Sequence, residues 1–218
     1  MNINLQLALK TLKKYFPADE EAQMALSLLE NKINALVLLE EPSNSTEVDL
    51  FPIPADIKLK NRAYALFSDG ACRGNPGPGS WASMGQDQSG AVLFEIFGVQ
   101  ERTTNNQMEI QAAIEALLEL KRIIESNQLT FDCEVFLFSD SKYVVEGIET
   151  WVPTWKKRGW IKSDKKIPEN LERWQKLDEV KGLFPQLRFI WIKGHAGHPQ
   201  NERCDQLANS ALDEIDFI

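Results

Sequence analysis

From Ala63 onward the chain places three short β-rich runs in succession and then alternates helical with strand periodicity, an order that few folds accommodate. The runs at 64–68, 80–85 and 91–99 are separated by Gly, Pro and Asn and read as an antiparallel meander. Ile110, Ala113, Ile114, Leu117 and Leu120 then recur at helical spacing, and residues 134–139 form a short apolar strand. A strand, a helix and a second buried strand make a parallel crossover. A further helical stretch carries Leu171, Trp174 and Leu177. A fifth strand is expected over 187–193, and a last helix carries Cys204, Leu207, Ala208 and Ala211. The expected fold class is α/β, with a mixed five-stranded sheet, three strands antiparallel and then two parallel, flanked by helices.

Residues 1–40 show helical periodicity twice: Leu5, Leu9, Leu12 and Phe16, then Ala22, Leu26, Leu29, Ile33, Leu36 and Val37 after Pro17. The economical reading is a helical hairpin. Residues 41–61 hold three prolines among Ser and Asn, which favours an extended linker, so the main domain is expected over 62–218.

Several classes are excluded. Cys72, Cys133 and Cys204 form no CxxC pair and leave one over, against both a disulfide framework and a zinc site. No apolar run approaches the ~20 residues of a membrane span, and the N-terminal lysines lie inside the apolar pattern, so a cytoplasmic protein without a membrane partner is expected. The net charge of −8 argues first against nucleic acid. That argument weakens once the charges are placed. Trp151 to Lys166 carries six cations, Lys156, Lys157, Arg158, Lys162, Lys165 and Lys166, against one acid, with Trp151, Trp155 and Trp160 interleaved.

Four acids stand out by position. Asp69 is expected to end the first strand and Asp140 the fourth, with Glu109 and Asp205 early in helices. Sites in open α/β sheets collect at strand ends. Carboxylates gathered there repel unless cations join them, and oxygen-only ligation suits Mg²⁺ or Mn²⁺. The bland alternative for each is a cap or a surface charge. Asp69 opens DGACRGNPGPG, whose glycines and prolines are expected to force tight turns. Glu109 follows TTNNQM, Asp140 lies in SDSKYV, and Asp205 lies ten positions after His195 in KGHAGHPQNERCDQLA.

These motifs, with WVPTWKKRGW between them, resemble the type 1 ribonuclease H family, in order and over residues 63–212. The resemblance implies the ribonuclease H fold and an endonuclease that hydrolyses the RNA strand of RNA–DNA hybrids by two-metal-ion catalysis, leaving 5′-phosphate and 3′-hydroxyl ends. It implies that Asp69, Glu109, Asp140 and Asp205 hold two Mg²⁺ ions, Mn²⁺ being a substitute, with Asp69 bridging them. His195 matches the family's loop histidine, which assists proton transfer or product departure; without the motif it would read as a turn histidine. His198 reads as structural and Cys133 as core filling. Cys72, Asn75, Asn105 and Asn106 match positions that touch the nucleic acid, and Thr104 and Arg73 are candidate phosphate contacts. The 151–166 segment resembles the basic protrusion that grips the DNA strand, placing Trp155, Lys156, Lys157, Arg158 and Trp160 among the contacts.

Two departures stand out. Lys142 occupies a position where many family members carry Gln, adding a cation beside the cluster. Residues 1–60 hold six Lys, no Arg, nine acids and no Trp, unlike the aromatic and basic hybrid-binding module of some relatives. A protein partner for that hairpin, self-association, or packing on the main domain are the readings it leaves. The alternative function is a non-catalytic module binding hybrids or double-stranded RNA, which would have no need of all four carboxylates.

Overall fold

The computed structural model describes residues 50–214, together with 25–27 and 29, which are helical. The hairpin expected over 1–40 otherwise lies outside the described residues, as does the end of the chain. The chain divides after Asp49, and the unit beginning at Leu50 carries all that follows.

A short helix, α1 (Ala55–Lys58), precedes β1 (Ala63–Cys72), β2 (Gly77–Asp87) and β3 (Val92–Thr103). The long α2 (Asn105–Ser126) leads to β4 (Glu134–Ser139). A bent helical segment follows, α3 (Lys142–Glu146), a wide turn over Gly147–Trp151, and α4 (Val152–Lys157). Then come α5 (Leu171–Lys181), β5 (Gln186–Trp191) and α6 (Pro199–Asp213). The strands form one sheet in the order β3-β2-β1-β4-β5. β1 pairs antiparallel with β2 and parallel with β4, and β4 pairs parallel with β5, so the mixed sheet is as expected.

β1 lies at the centre because both of its faces are apolar. Tyr64 and Leu66 enter one core with Val135 and Leu137 of β4, beneath Ile110, Ile114, Leu117 and Leu120 of α2. Ala63, Ala65 and Phe67 enter a second core with Phe136 and Phe138, against Cys204 and Ala208 of α6. The two-residue period thus feeds two layers of helices from one strand pair. Phe67 and Phe138 stack at 4.9 Å between ring centroids. Cys133 is buried in the first core, as expected.

Three expectations need correction. The linker does not extend to residue 61. Ile53 and Ile57 are buried in the second core, Gln86 Nε2 donates to the Phe51 carbonyl (2.9 Å), and Gln200 Nε2 donates to the Pro52 carbonyl (3.0 Å). Prolines favour extended chain, yet Ile53 ahead of α1 and Ile57 within it are buried and anchor the segment. Second, β1 does not end at Asp69 but runs to Cys72, which pairs with Gly79, so the tight turn is confined to residues 73–76. The antiparallel ladder satisfies the backbone there whatever the side-chain propensity. Third, β5 closes at Trp191, two residues short of the expected end. Among the described residues no helix is long and apolar enough to cross a membrane.

Truncating Ile57 to Ala should cost ~2–4 kcal/mol of stability, as for other buried aliphatic side chains. Urea denaturation of the full chain measures this, and a loss below ~0.5 kcal/mol would show that the segment before β1 is only a tether.

Candidate active site

Three elements bring the carboxylates together. Ser68 of β1 pairs with Ser139 of β4, so the next residues, Asp69 and Asp140, emerge side by side. Thr104 caps α2, its hydroxyl accepting from the Gln107 N–H while the Gln107 side chain accepts from the Thr104 N–H. The capped helix then turns Glu109 inward over β1. Gly70 permits the approach: a Cβ there would lie 2.4 Å from the Glu109 nitrogen. Ligand oxygens of Asp69, Glu109 and Asp140 all fall within 4.8 Å of one another.

Such a cluster is electrostatically unfavourable. Asp69 is pushed up to about 7, first by burial and then by the Asp140 and Asp205 carboxylates, with the Gly70 N–H (2.8 Å) opposing. Glu109 is held well above the usual carboxylate range by burial, then by Asp69 and Asp140; the Asn105 amide (3.3 Å) opposes. Glu109 Oε2 is buried and has no hydrogen-bond partner. An orphaned carboxylate oxygen facing two more carboxyl groups fits a bound cation, and an all-oxygen donor set suits a hard divalent one.

The fourth carboxylate stands outside this trio. Asp205 is near enough to raise Asp69, and its Oδ1 accepts from Asn209 Nδ2 (2.8 Å). His195 is exposed in the loop between β5 and α6, in the left-handed region (φ +49°). That loop is tied down by Glu202 Oε1, which accepts from the Gly197 N–H (3.1 Å). His198 only leads into α6, making no side-chain cap.

The expected nucleic-acid contacts sort into two groups. Asn75 and Asn105 adjoin, the Asn105 N–H donating to Asn75 Oδ1 (3.3 Å), with Asn106 exposed beside them. Cys72 is half-buried under the same turn, its thiol directed at backbone carbonyls of Gly74 and Thr103. Others already have structural work. Thr104 is the helix cap described above, and Arg73 pairs with Asp213 of α6 rather than standing free. Lys142 is exposed with its Nζ 4.9 Å from the Trp191 ring centroid.

In the basic segment the tryptophans are anchors. Trp151, Trp155 and Trp160 pack on the first core, where Trp151 and Trp155 contact Trp174 at 6.4 and 6.1 Å between centroids. Trp155 and Trp160 are half-buried, so part of their apolar area goes to holding the arm and part stays accessible. Lys156 pairs with Asp178 (2.7 Å) and Lys162 with Glu169 (3.0 Å). Lys157, Arg158 and Lys165 are exposed and make no ion pair among the described residues.

Sequence reasoning missed Asn201, Trp191 and Gly194, which all touch Asp140. Asn201 Nδ2 donates to Asp140 Oδ2 (3.1 Å), and Trp191 Nε1 donates to the Asp140 carbonyl (3.0 Å). A Cβ at Gly194 would lie 2.5 Å from Asp140 Oδ2. The NER and WIKGH strings carried the signal, but nothing in their spacing says which acid they serve.

The raised Asp69 fixes the sign of the pH dependence. Between about pH 4 and pH 7 the unfolded chain ionises this group while the folded, metal-free protein keeps it protonated, so stability falls as pH rises. Each unit of displacement is worth ~1.4 kcal/mol. Urea denaturation in chelator should show that decline through pH 4–7, and Asp69→Asn should make it shallower, with Glu109 carrying the remainder; a native profile that rises over this window would contradict the assignment.

A family model described as RNase H matches residues 61–213. Over 150 residues the chain is 45% identical to the Ribonuclease H of Pseudomonas putida, covering 69% of this chain and 93% of that protein. It is 46% identical to the Ribonuclease HI of Pseudomonas syringae pv. tomato, covering 69% of this chain and 92% of that protein. Among solved structures, LC11-RNase H1 in complex with an RNA/DNA hybrid aligns with a TM-score of 0.54 at 30% identity, over 69% of this chain and 96% of that one. LC9-RNase H1, a type 1 RNase H with the type 2 active-site motif, aligns with a TM-score of 0.58 at 30% identity, over 70% of this chain and 73% of that one. With the mixed sheet and the carboxylate trio both lying inside the matched span, the chain belongs to the RNase H family.

Proposed function

We infer that this chain is a ribonuclease H that hydrolyses the RNA strand of RNA–DNA hybrids, using divalent metal, with Mg²⁺ as the ion and Mn²⁺ as a substitute. The observation that carries the reading is the trio of buried Asp69 and Glu109 with half-buried Asp140, and Asp205 close enough to act on Asp69. When bound, a pair of divalent ions supplies the positive charge that activates water and steadies the departing oxygen. The carboxylates hold that charge at one place on the sheet, and the order β1, α2, β4 sets their spacing before substrate arrives. His195, exposed on its loop ahead of α6, is the residue to which the family resemblance assigns proton transfer or product departure.

The turn bearing Asn75, with Cys72 at the end of β1 and Asn105 and Asn106 at the start of α2, is the surface for the RNA strand and its 2′-hydroxyls. Thr104 and Arg73 hold that surface in shape. Lys157, Arg158 and Lys165, projecting from an arm whose half-buried tryptophans pack towards the buried Trp174, form the grip on the DNA strand. Contacts of this kind read backbone and groove shape, so sequence preference should be weak. The solved LC11-RNase H1 complex with an RNA/DNA hybrid supports this substrate for the family member it depicts.

A non-catalytic hybrid-binding module accounts for less. Gathering three carboxylates in a buried site costs stability, and a module that only binds an anionic duplex gains nothing from it.

Cleavage of a labelled RNA–DNA hybrid with Mg²⁺, beside double-stranded RNA and DNA, tests the reading. Asp69→Asn and Glu109→Gln should each lower kcat by about a thousandfold, equivalent to several kcal/mol of charge stabilisation. Activity that survives Asp69→Asn, or cutting that spares the hybrid, would contradict it. Replacing Lys157 and Arg158 by Ala should raise KM several-fold and reduce the salt slope by about one unit per lost phosphate contact. Lys156→Ala should do less, because Asp178 already holds that ammonium.

A further inference from the structure

We propose that Asn201 is a positioning residue for the Asp140 carboxylate, holding one of its oxygens so that the other is directed at the metal. The assignment rests on the metal reading above. Asp69 lies within β1 and Glu109 within α2, so the backbone of a regular element aims each of them. Asp140 lies in neither; it falls between the end of β4 and the start of α3. A carboxylate at such a junction needs its direction set by neighbours.

Those neighbours come from three places. Asn201 sits in the first turn of α6, is 3% exposed, and donates from Nδ2 to Asp140 Oδ2 at 3.1 Å. Gly194 leaves room for that same oxygen and closes it against any larger residue, since a Cβ would come within 2.5 Å. Trp191, at the end of β5, holds the backbone through its indole N–H to the Asp140 carbonyl at 3.0 Å. One oxygen is thereby bonded to the protein, while Asp140 still offers an oxygen within 4.8 Å of those of Asp69 and Glu109.

Asn201 itself is costly where it stands. Its Oδ1 is buried with no hydrogen-bond partner, a penalty that a small or apolar residue would avoid. The gain must therefore lie at the other end of the amide, in the bond to Asp140. Outer groups that orient a metal-binding carboxylate change metal affinity or activity by roughly 10–100-fold when removed.

The test uses the full chain with Mg²⁺ alone as probe, following the Mg²⁺ concentration that half-saturates the thermal shift, together with kcat and KM on a labelled hybrid. Asn201→Ala should raise that Mg²⁺ midpoint by about tenfold or more and lower kcat at limiting Mg²⁺, with KM for hybrid within about twofold. The metal-free Tm should hold or rise, because the orphaned carbonyl is gone. Trp191→Phe keeps the ring and loses the N–H, and should shift the midpoint in the same direction by less. An Mg²⁺ midpoint and kcat matching native protein in Asn201→Ala would overturn the assignment, as would a fall in metal-free Tm, which marks a structural role. A native protein whose Tm ignores Mg²⁺ would overturn the metal reading itself; native response with an unchanged Asn201→Ala would overturn this inference alone.

Discussion

Mutual repulsion among buried carboxylates is the constraint on which the rest of this structure turns. Asp69, Glu109 and Asp140 are brought within 4.8 Å by three different elements, and burial strengthens their repulsion because little water remains to screen it. The metal-free protein answers by keeping protons that ordinary carboxylates release. A divalent metal would answer by supplying the missing charge, and the all-oxygen donor set fits one.

The scaffold supplies the energy that holds this arrangement. Two cores lie on either face of β1 and β4, one under α2 and α5, the other under α6 and the segment that precedes β1. That segment is tied to the site side of the molecule by polar bonds as well as by Ile53 and Ile57. Gln200 bridges the Pro52 carbonyl and Gln86 Oε1, and its neighbour Asn201 bonds Asp140. The chain entering the domain and the Asp140 carboxylate are therefore both tied to the start of α6, through the adjacent residues Gln200 and Asn201.

Much of this was legible in the sequence because periodicity and position carry it. The succession of strands and helices, the mixed character of the sheet, and the acids at strand and helix ends are readable from residue spacing, and the five motifs in order carried the family resemblance. What escaped was set by pairing across long distances. β1 continues through Asp69 to Cys72 because β2 lies beside it, a fact that the glycines and prolines of that stretch conceal. Proline content made residues 50–61 look like tether, although Ile53 and Ile57 are core residues. That the arm's tryptophans seat on Trp174, from a helix more than a dozen residues further on, is likewise not visible in their spacing. Asn201 was silent for the same reason, since its partner lies 61 positions away.

The central claim is that protons occupy the carboxylate site until metal displaces them. Calorimetry of Mg²⁺ binding, repeated at one pH in buffers of different ionisation enthalpy, counts those protons directly. Near pH 6, below the value of about 7 assigned to Asp69, binding should release close to one proton or more, and the number should fall towards zero in alkaline solution. Binding that releases no proton at pH 6 would contradict the account.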